Sequence, residues 1–198
     1  MPRETLQLSA KELTTKTWPD FERLFEKPGE WGACWCIYYQ RARPLPRSAT
    51  SGLSPDQRAA RNREDKKGLV KEGRSHGIIV YNDKEPIGWC QYGPREELPR
   101  IDAGRKYRGL KLPEERKLWR ITCFCVDRRY RNRDVASFGL EAALKSIRES
   151  GGGTVEAYPV THRGALAAWF GTVSMFMEQG FEVVAAFGKS NVLVRRKV

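Results

Sequence analysis

Arg128, Arg129, Arg131 and Arg133 crowd one short turn, with a dense apolar run before it and an Ala-rich, apolar-periodic segment after it. Guanidinium groups bind phosphate oxygens through charge-assisted hydrogen bonds. A helix opening directly behind such a turn adds free backbone N–H groups and the positive end of its dipole, so Arg131 to Ser137 offers the chemistry of anion binding. Asp134 works against it. A carboxylate there is a good helix N-cap, able to fold back onto the N–H groups an anion would use and to repel it. Glycine would tolerate unusual dihedrals and place no side chain in the way. On its own, an arginine run reads as a solvated turn.

Glu156 and Tyr158 lie two apart in a short apolar stretch and would share one face of a strand. A carboxylate half-buried beside a pocket has its pKa raised towards the range of a general base. An ion pair with a neighbouring arginine is the competing description. Five cysteines form two Cys-x-Cys motifs, Cys34-Trp35-Cys36 and Cys123-Phe124-Cys125, with Cys90 apart. Structural zinc sites usually place about two to four residues between paired ligands. The thiols are therefore expected to be reduced packing groups, each pair lining one side of a strand, and no metal is expected. His76 and His162 have no partner in sequence that completes a triad or a metal motif.

The elements that must position these groups follow from periodicity and punctuation. Leu118 to Val126 predicts a strand, Asp134 to Glu149 a helix ended by Gly151-Gly152-Gly153, and Val155 to Tyr158 a second strand. Upstream, Thr17-Trp18-Pro19-Asp20 opens a helix that Pro28-Gly29 stops. Ala33 to Gln40 reads as a strand or as buried irregular structure, and Arg41 to Ser51 as mobile or ordered by a ligand. Ser54 and Gln57 make a capping box before a charged helix ending near Glu72 or Gly73. His76 to Tyr81 and Pro86 to Tyr92 predict a hairpin, and Arg95 to Lys117 a long connection suited to a substrate lid. Arg163 to Gln179 predicts a helix, followed by strands at Phe181 to Phe187 and Val192 to Arg196. Trp31, Trp35, Tyr38, Tyr39, Trp89 and Tyr92 form an aromatic wall, or ordinary core, if the N-terminal segment packs on the hairpin. This order predicts one domain of the α/β (α+β) class, a mixed sheet with helices on both faces.

The order of elements and the stretch ITCFCVDRRYRNRDVASFGLEAALKSIRESG, Ile121 to Gly151, resemble the GNAT N-acetyltransferase superfamily at its acyl-CoA site. The family pattern is Arg or Gln, two residues, Gly, one residue, then Gly or Ala. Arg131, Asp134 and Ala136 stand at those places. Cys34 to Cys36, Gly88 to Cys90, Pro94-Arg95, Thr122 to Phe124 and Glu156 to Pro159 are similar to a little-characterised branch. The resemblance implies a mostly antiparallel twisted sheet with a central splayed parallel pair, and acetyl-CoA as co-substrate. It implies that backbone groups of Phe124, Cys125 and Val126 hold the pantetheine and thioester. The pyrophosphate falls to Arg131, Asn132, Arg133, Asp134, Val135, Ala136 and Ser137. An amine of unknown identity attacks the thioester directly, with Glu156 and Tyr158 as catalytic candidates. Phe176 and Trp169 stand where relatives often carry a Tyr acid and a cofactor-binding Asn, so Tyr158, Ser174 or solvent takes over proton donation.

Thirty-six Lys and Arg against 24 Asp and Glu give a formal net charge of +12, which favours phosphate-bearing ligands, nucleic acid or an anionic surface. No apolar run reaches the roughly 20 residues that cross a bilayer, and the first residues lack a secretory pattern, so a cytoplasmic protein without membrane partners is expected. Three functions are in play: acyl transfer to a small-molecule or protein amine, a binding module that has lost catalysis, and nucleic-acid or ribosome association. The last lacks any recognised motif.

Overall fold

The computed structural model describes residues 5–27, 34–162 and 166–198. Its helices are α1 (Trp18–Phe25), α2 (Arg47–Thr50), α3 (Pro55–Lys71), α4 (Arg100–Ala103), α5 (Arg105–Arg108), α6 (Val135–Glu149), α7 (Ala167–Phe170) and α8 (Val173–Glu178). Its strands are β1 (Leu8–Glu12), β2 (Gly77–Asn82), β3 (Glu85–Pro94), β4 (Leu118–Val126), β5 (Thr154–Ala157), β6 (Glu182–Ala186) and β7 (Val192–Lys197). They form one sheet in the order β1-β2-β3-β4-β5-β7-β6. Every neighbouring pair is antiparallel except β4 and β5. The α+β mixed sheet, its central parallel pair and its flanking helices are those expected.

Two features of β4 decide what the sheet can position. Its pairing with β5 runs from Leu118↔Thr154 to Ile121↔Ala157 and stops there, while β4 continues to Val126. Beyond Ile121, β4 has no β5 partner, because β5 ends at Ala157. The register with β3 also shifts, Gln91 pairing Cys123 and Tyr92 pairing Ile121, so Thr122 is an extra residue in a bulge. A one-residue insertion changes which face the following side chains take. Ile121 and Phe124 accordingly join the core under α6, whereas Cys123 and Cys125 pack with α1 and α3.

On the first face α6 lies across β2, β3 and β4, burying Val135, Leu140, Ala143, Leu144 and Ile147 at helical spacing. Gly88 allows this approach, because a Cβ there would sit 2.6 Å from Val135 Cγ1. On the other face Trp18, Phe21, Leu24 and Phe25 of α1 meet Trp35, Val70, Tyr81 and Trp89. The Ser54 capping box opens α3: Ser54 Oγ accepts from Gln57 N at 3.1 Å and Gln57 Oε1 from Ser54 N at 2.8 Å.

Several expectations change. Residues 34–40 are irregular structure, buried at Trp35, Cys36 and Ile37, and not a strand: Trp35 and Cys36 have φ of 50° and 48°, and a 3-10 turn follows at Tyr38–Gln40. Consecutive left-handed residues cannot pleat. Arg95 to Lys117 is more than a loop, since Leu98 and Ile101 are buried around short helical turns. The helix expected up to Gln179 is two, α7 and α8, broken at Gly171 with φ 72°, where a Cβ would meet Met175 Cε at 2.4 Å. Its expected start at Arg163, the Pro28-Gly29 stop and Trp31 lie outside the described residues. Strand β1 had no signal in the sequence: three of its five residues are exposed, as a polar edge strand allows.

Candidate functional site

Where β4 leaves β5, a cavity of about 430 Å³ opens between the end of β4, the start of α6 and the α7–α8 corner. Phe124, Val126, Arg131, Asn132, Asp134, Val135, Ala136 and Ser137 line it, joined by Tyr130, Gly171, Thr172, Ser174 and Met175. Arg133 lies behind this lining, its guanidinium 5.7 Å from the centre of the Tyr130 ring. The Cys125 side chain points to the opposite face of the sheet.

The turn holds the backbone shape that glycine would give, with no glycine in it. Asn132 has φ 56° and Asp134 φ 58°, ψ 12°. Asn and Asp are the residues that enter the left-handed region at least cost. The Asp134 side chain makes no capping hydrogen bond. The expectation that it folds back over the helix start is therefore corrected, and the first-turn N–H groups of Val135, Ala136 and Ser137 are not covered by it. Arg131 Nε donates to the Val126 carbonyl at 3.0 Å, which ties the turn to the end of β4.

Asp127 anchors the other end of the turn. Its Oδ1 accepts from Arg129 N at 3.0 Å, and its carboxylate pairs with Arg129 and Lys27. Burial works to raise this carboxyl, yet the hydrogen bonds from Arg129 and Lys27 prevail and hold it well below the usual carboxylate range. Tyr130 donates to Glu85 at 2.8 Å.

Glu156 and Tyr158 lie outside the cavity lining. Glu156 is completely buried, with Arg195 Nη2 2.9 Å and Arg120 Nε 3.7 Å from its oxygens, and it accepts from Tyr107 and from Tyr158. Arg120 makes a bidentate pair with Asp102, at 2.6 and 2.9 Å. The ion pair weighed against the general base is thus present. Burial pushes the Tyr158 phenol well up. Phe176 is fully buried against Phe124 and Phe181, a core residue, and Trp169 packs beside the α1 cluster. His76 bonds Glu97 at 2.8 Å, and exposed His162 contacts Thr161 Oγ1 at 3.3 Å.

The expectation of no metal is overturned on the far face of β4. The sulfurs of Cys36, Cys123 and Cys125 all lie within 4.8 Å of one another, a group able to hold an ion, with Cys36 Sγ 3.4 Å from Cys123 Sγ. Spacing within either Cys-x-Cys motif misses this group, because it draws one thiol from the first motif and two from the second. The Cys36 and Cys125 thiols point their hydrogen bonds at Cys123, which lowers the Cys123 thiol below its ordinary value. Close by, Lys66 is completely buried, donating to Gln40 Oε1 at 2.7 Å and lying over the rings of Trp89 and Phe21 at 5.3 and 5.8 Å. Burial pushes its ammonium down to about 8, against the pull of Cys36, Cys123 and Cys34. Nothing in its charged helix marked Lys66 in the sequence.

The description "Acetyltransferase (GNAT) family" belongs to a family profile that matches residues 17–170. No curated protein matches the chain. Solved structures share its fold. A putative GNAT-family acetyltransferase from Desulfovibrio desulfuricans is 14% identical, with 96% of this chain and 98% of that one covered, at a TM-score of 0.52. An acetyltransferase from Thermus thermophilus is 16% identical over 98% and 99%, also at 0.52. The PaiA N-acetyltransferase from Thermoplasma acidophilum, solved in complex with coenzyme A, is 10% identical over 98% and 100%, at 0.53. No helix among the described residues is long and apolar enough to cross a membrane.

Proposed function

The chain belongs to the acetyltransferase (GNAT) family, and from that premise we propose that it is an acyl-CoA-dependent N-acyltransferase, moving an acetyl group from acetyl-CoA to an amine. The observation that carries this reading is the cavity at the start of α6, where Asn132 and Asp134 are left-handed and the Asp134 side chain does not cap the first-turn N–H groups. An anion held there meets oriented donors and the positive helix end. In this reading the pyrophosphate sits on Val135, Ala136 and Ser137, steadied by Arg131 of the lining, while Arg133 adds its charge from behind it. The pantetheine follows the backbone of Phe124, Cys125 and Val126 where β5 has ended, and an N–H there stabilises the oxyanion. The amine nitrogen bonds to the thioester carbon as the C–S bond breaks; the amine proton leaves to solvent and the thiolate takes one up.

We assign Glu156 and Tyr158 to clamping β5 beside β4 rather than to proton transfer. The Glu156 oxygens are already taken up by Arg195, Tyr107 and Tyr158, and neither Glu156 nor Tyr158 lines the cavity. Among the cavity hydroxyls we assign protonation of the departing thiolate to Ser174, whose Oγ lies 3.0 Å from Thr172 Oγ1.

The test is a calorimetric titration of acetyl-CoA into the native chain and Asp134→Gly, with thiol release followed over a panel of small and peptide amines. The native chain is expected to bind, and the variant to bind more tightly as the carboxylate's repulsion is removed. Failure of both to bind would sink the proposal. Binding without thiol release on any amine would instead favour a non-catalytic module.

A further inference from the structure

We propose that Cys36, Cys123 and Cys125 form a three-thiolate site for one thiophilic divalent ion, zinc foremost, whose net charge the buried ammonium of Lys66 balances. This does not rest on acyl transfer. Zinc–thiolate bonds of about 2.3 Å in tetrahedral geometry place sulfurs about 3.8 Å apart. Sulfurs already within 4.8 Å of one another need only side-chain adjustment to reach that separation.

Two local irregularities assemble the group. The bulge at Thr122 turns Cys123 and Cys125 to the α1 face, away from the α6 core that holds Ile121 and Phe124. The left-handed pair Trp35-Cys36 carries the third thiol to them. Non-glycine residues held in that region cost free energy and persist where the surrounding structure requires them.

Charge selects the ion. A buried ammonium in an aromatic interior is costly unless an anion compensates it, and Lys66 has the neutral Gln40 amide as its hydrogen-bond acceptor, while Glu97, the carboxylate that bears on it, bonds His76. Three thiolates with a divalent ion carry −1, which Lys66 cancels. A monovalent ion would leave −2. Each thiol that is still protonated releases its proton on binding. Cys123, the one of the three that is not fully buried, provides the way in. The ion would then fasten the N-terminal segment to β4, next to Phe124 of the cavity.

The experiment loads the reduced, full chain with zinc and measures retained metal after desalting, then repeats the loading with cobalt(II) and records its spectrum. One ion per chain and thiolate-to-cobalt charge transfer with tetrahedral visible bands are expected. Cys36→Ser and Cys123→Ser should each bind at least tenfold more weakly, Cys90→Ser as the native chain does, and Lys66→Met about tenfold more weakly. Because the native titration needs no variant to fold, absence of retained zinc together with absence of cobalt charge transfer overturns the site. Exclusive uptake of copper(I) would overturn the charge balance assigned to Lys66.

Discussion

Along β4, the face under α6 and the face under α1 and α3 are built from opposite materials. The cavity beside α6 is open, and its donors are backbone N–H groups presented by a turn and a helix start. The thiol cluster is closed in, and its groups are side chains brought together from two segments. A backbone-made site depends on dihedral angles, so Asn132 and Asp134 can stand where glycine is the easier choice. A side-chain-made site depends on residue type, and Ser for Cys would leave the geometry while removing the chemistry.

The contrast breaks most severely at the stem the two faces share. Arg120→Ala takes from Asp102 and the buried Glu156 one of the two cations each holds, leaving Arg95 and Arg195, and should cost about 3 to 5 kcal/mol in denaturant unfolding. An unchanged midpoint would show that Arg195 and the tyrosines satisfy Glu156 without it.

Asp127 joins the faces through Lys27 beside α1 and Arg129 in the turn. Its carboxyl is held below the unfolded value of about 4, so its contribution is present above that pH and lost as pH falls through the folded value. Asp127→Asn should lower stability at neutral pH by about 1.5 to 3 kcal/mol, as for hydrogen bonds to charged groups, and flatten the acid limb of the stability curve. Parallel curves for native and variant below pH 4 would contradict this.

The smallest effect sharpens the contrast most. Asp134→Ala keeps a Cβ but loses the side chain that eases the left-handed conformation, and should cost about 1 to 2 kcal/mol, whereas Asp134→Gly should be neutral or stabilising. Equal melting temperatures for the two variants would mean that the turn relaxes out of its left-handed shape.

What could be read in advance divides along the same line. Strand β4, the basic turn, α6 and the Ser54 capping box were legible because each is written in neighbouring residues, as a period of two, a period of 3.6 or a cap. Strand β1 was not, since Ser9, Ala10 and Lys11 are exposed and its pairing with β2 supplies what its composition does not. Nor was the break at Gly171, where the conformation of one residue, not the pattern around it, ends the helix.

By itself the amino-acid sequence determined the strand-turn-helix unit and the mixed sheet that follows from the order of its elements, because those preferences act within a few residues. Only the tertiary structure decided that Glu156 is locked between arginines, that Lys66 is buried, and that Cys36 meets Cys123 across 87 residues of chain. Those outcomes turn on which faces the bulge at Thr122 presents and on contacts between distant segments, and neither is encoded in any short stretch of sequence.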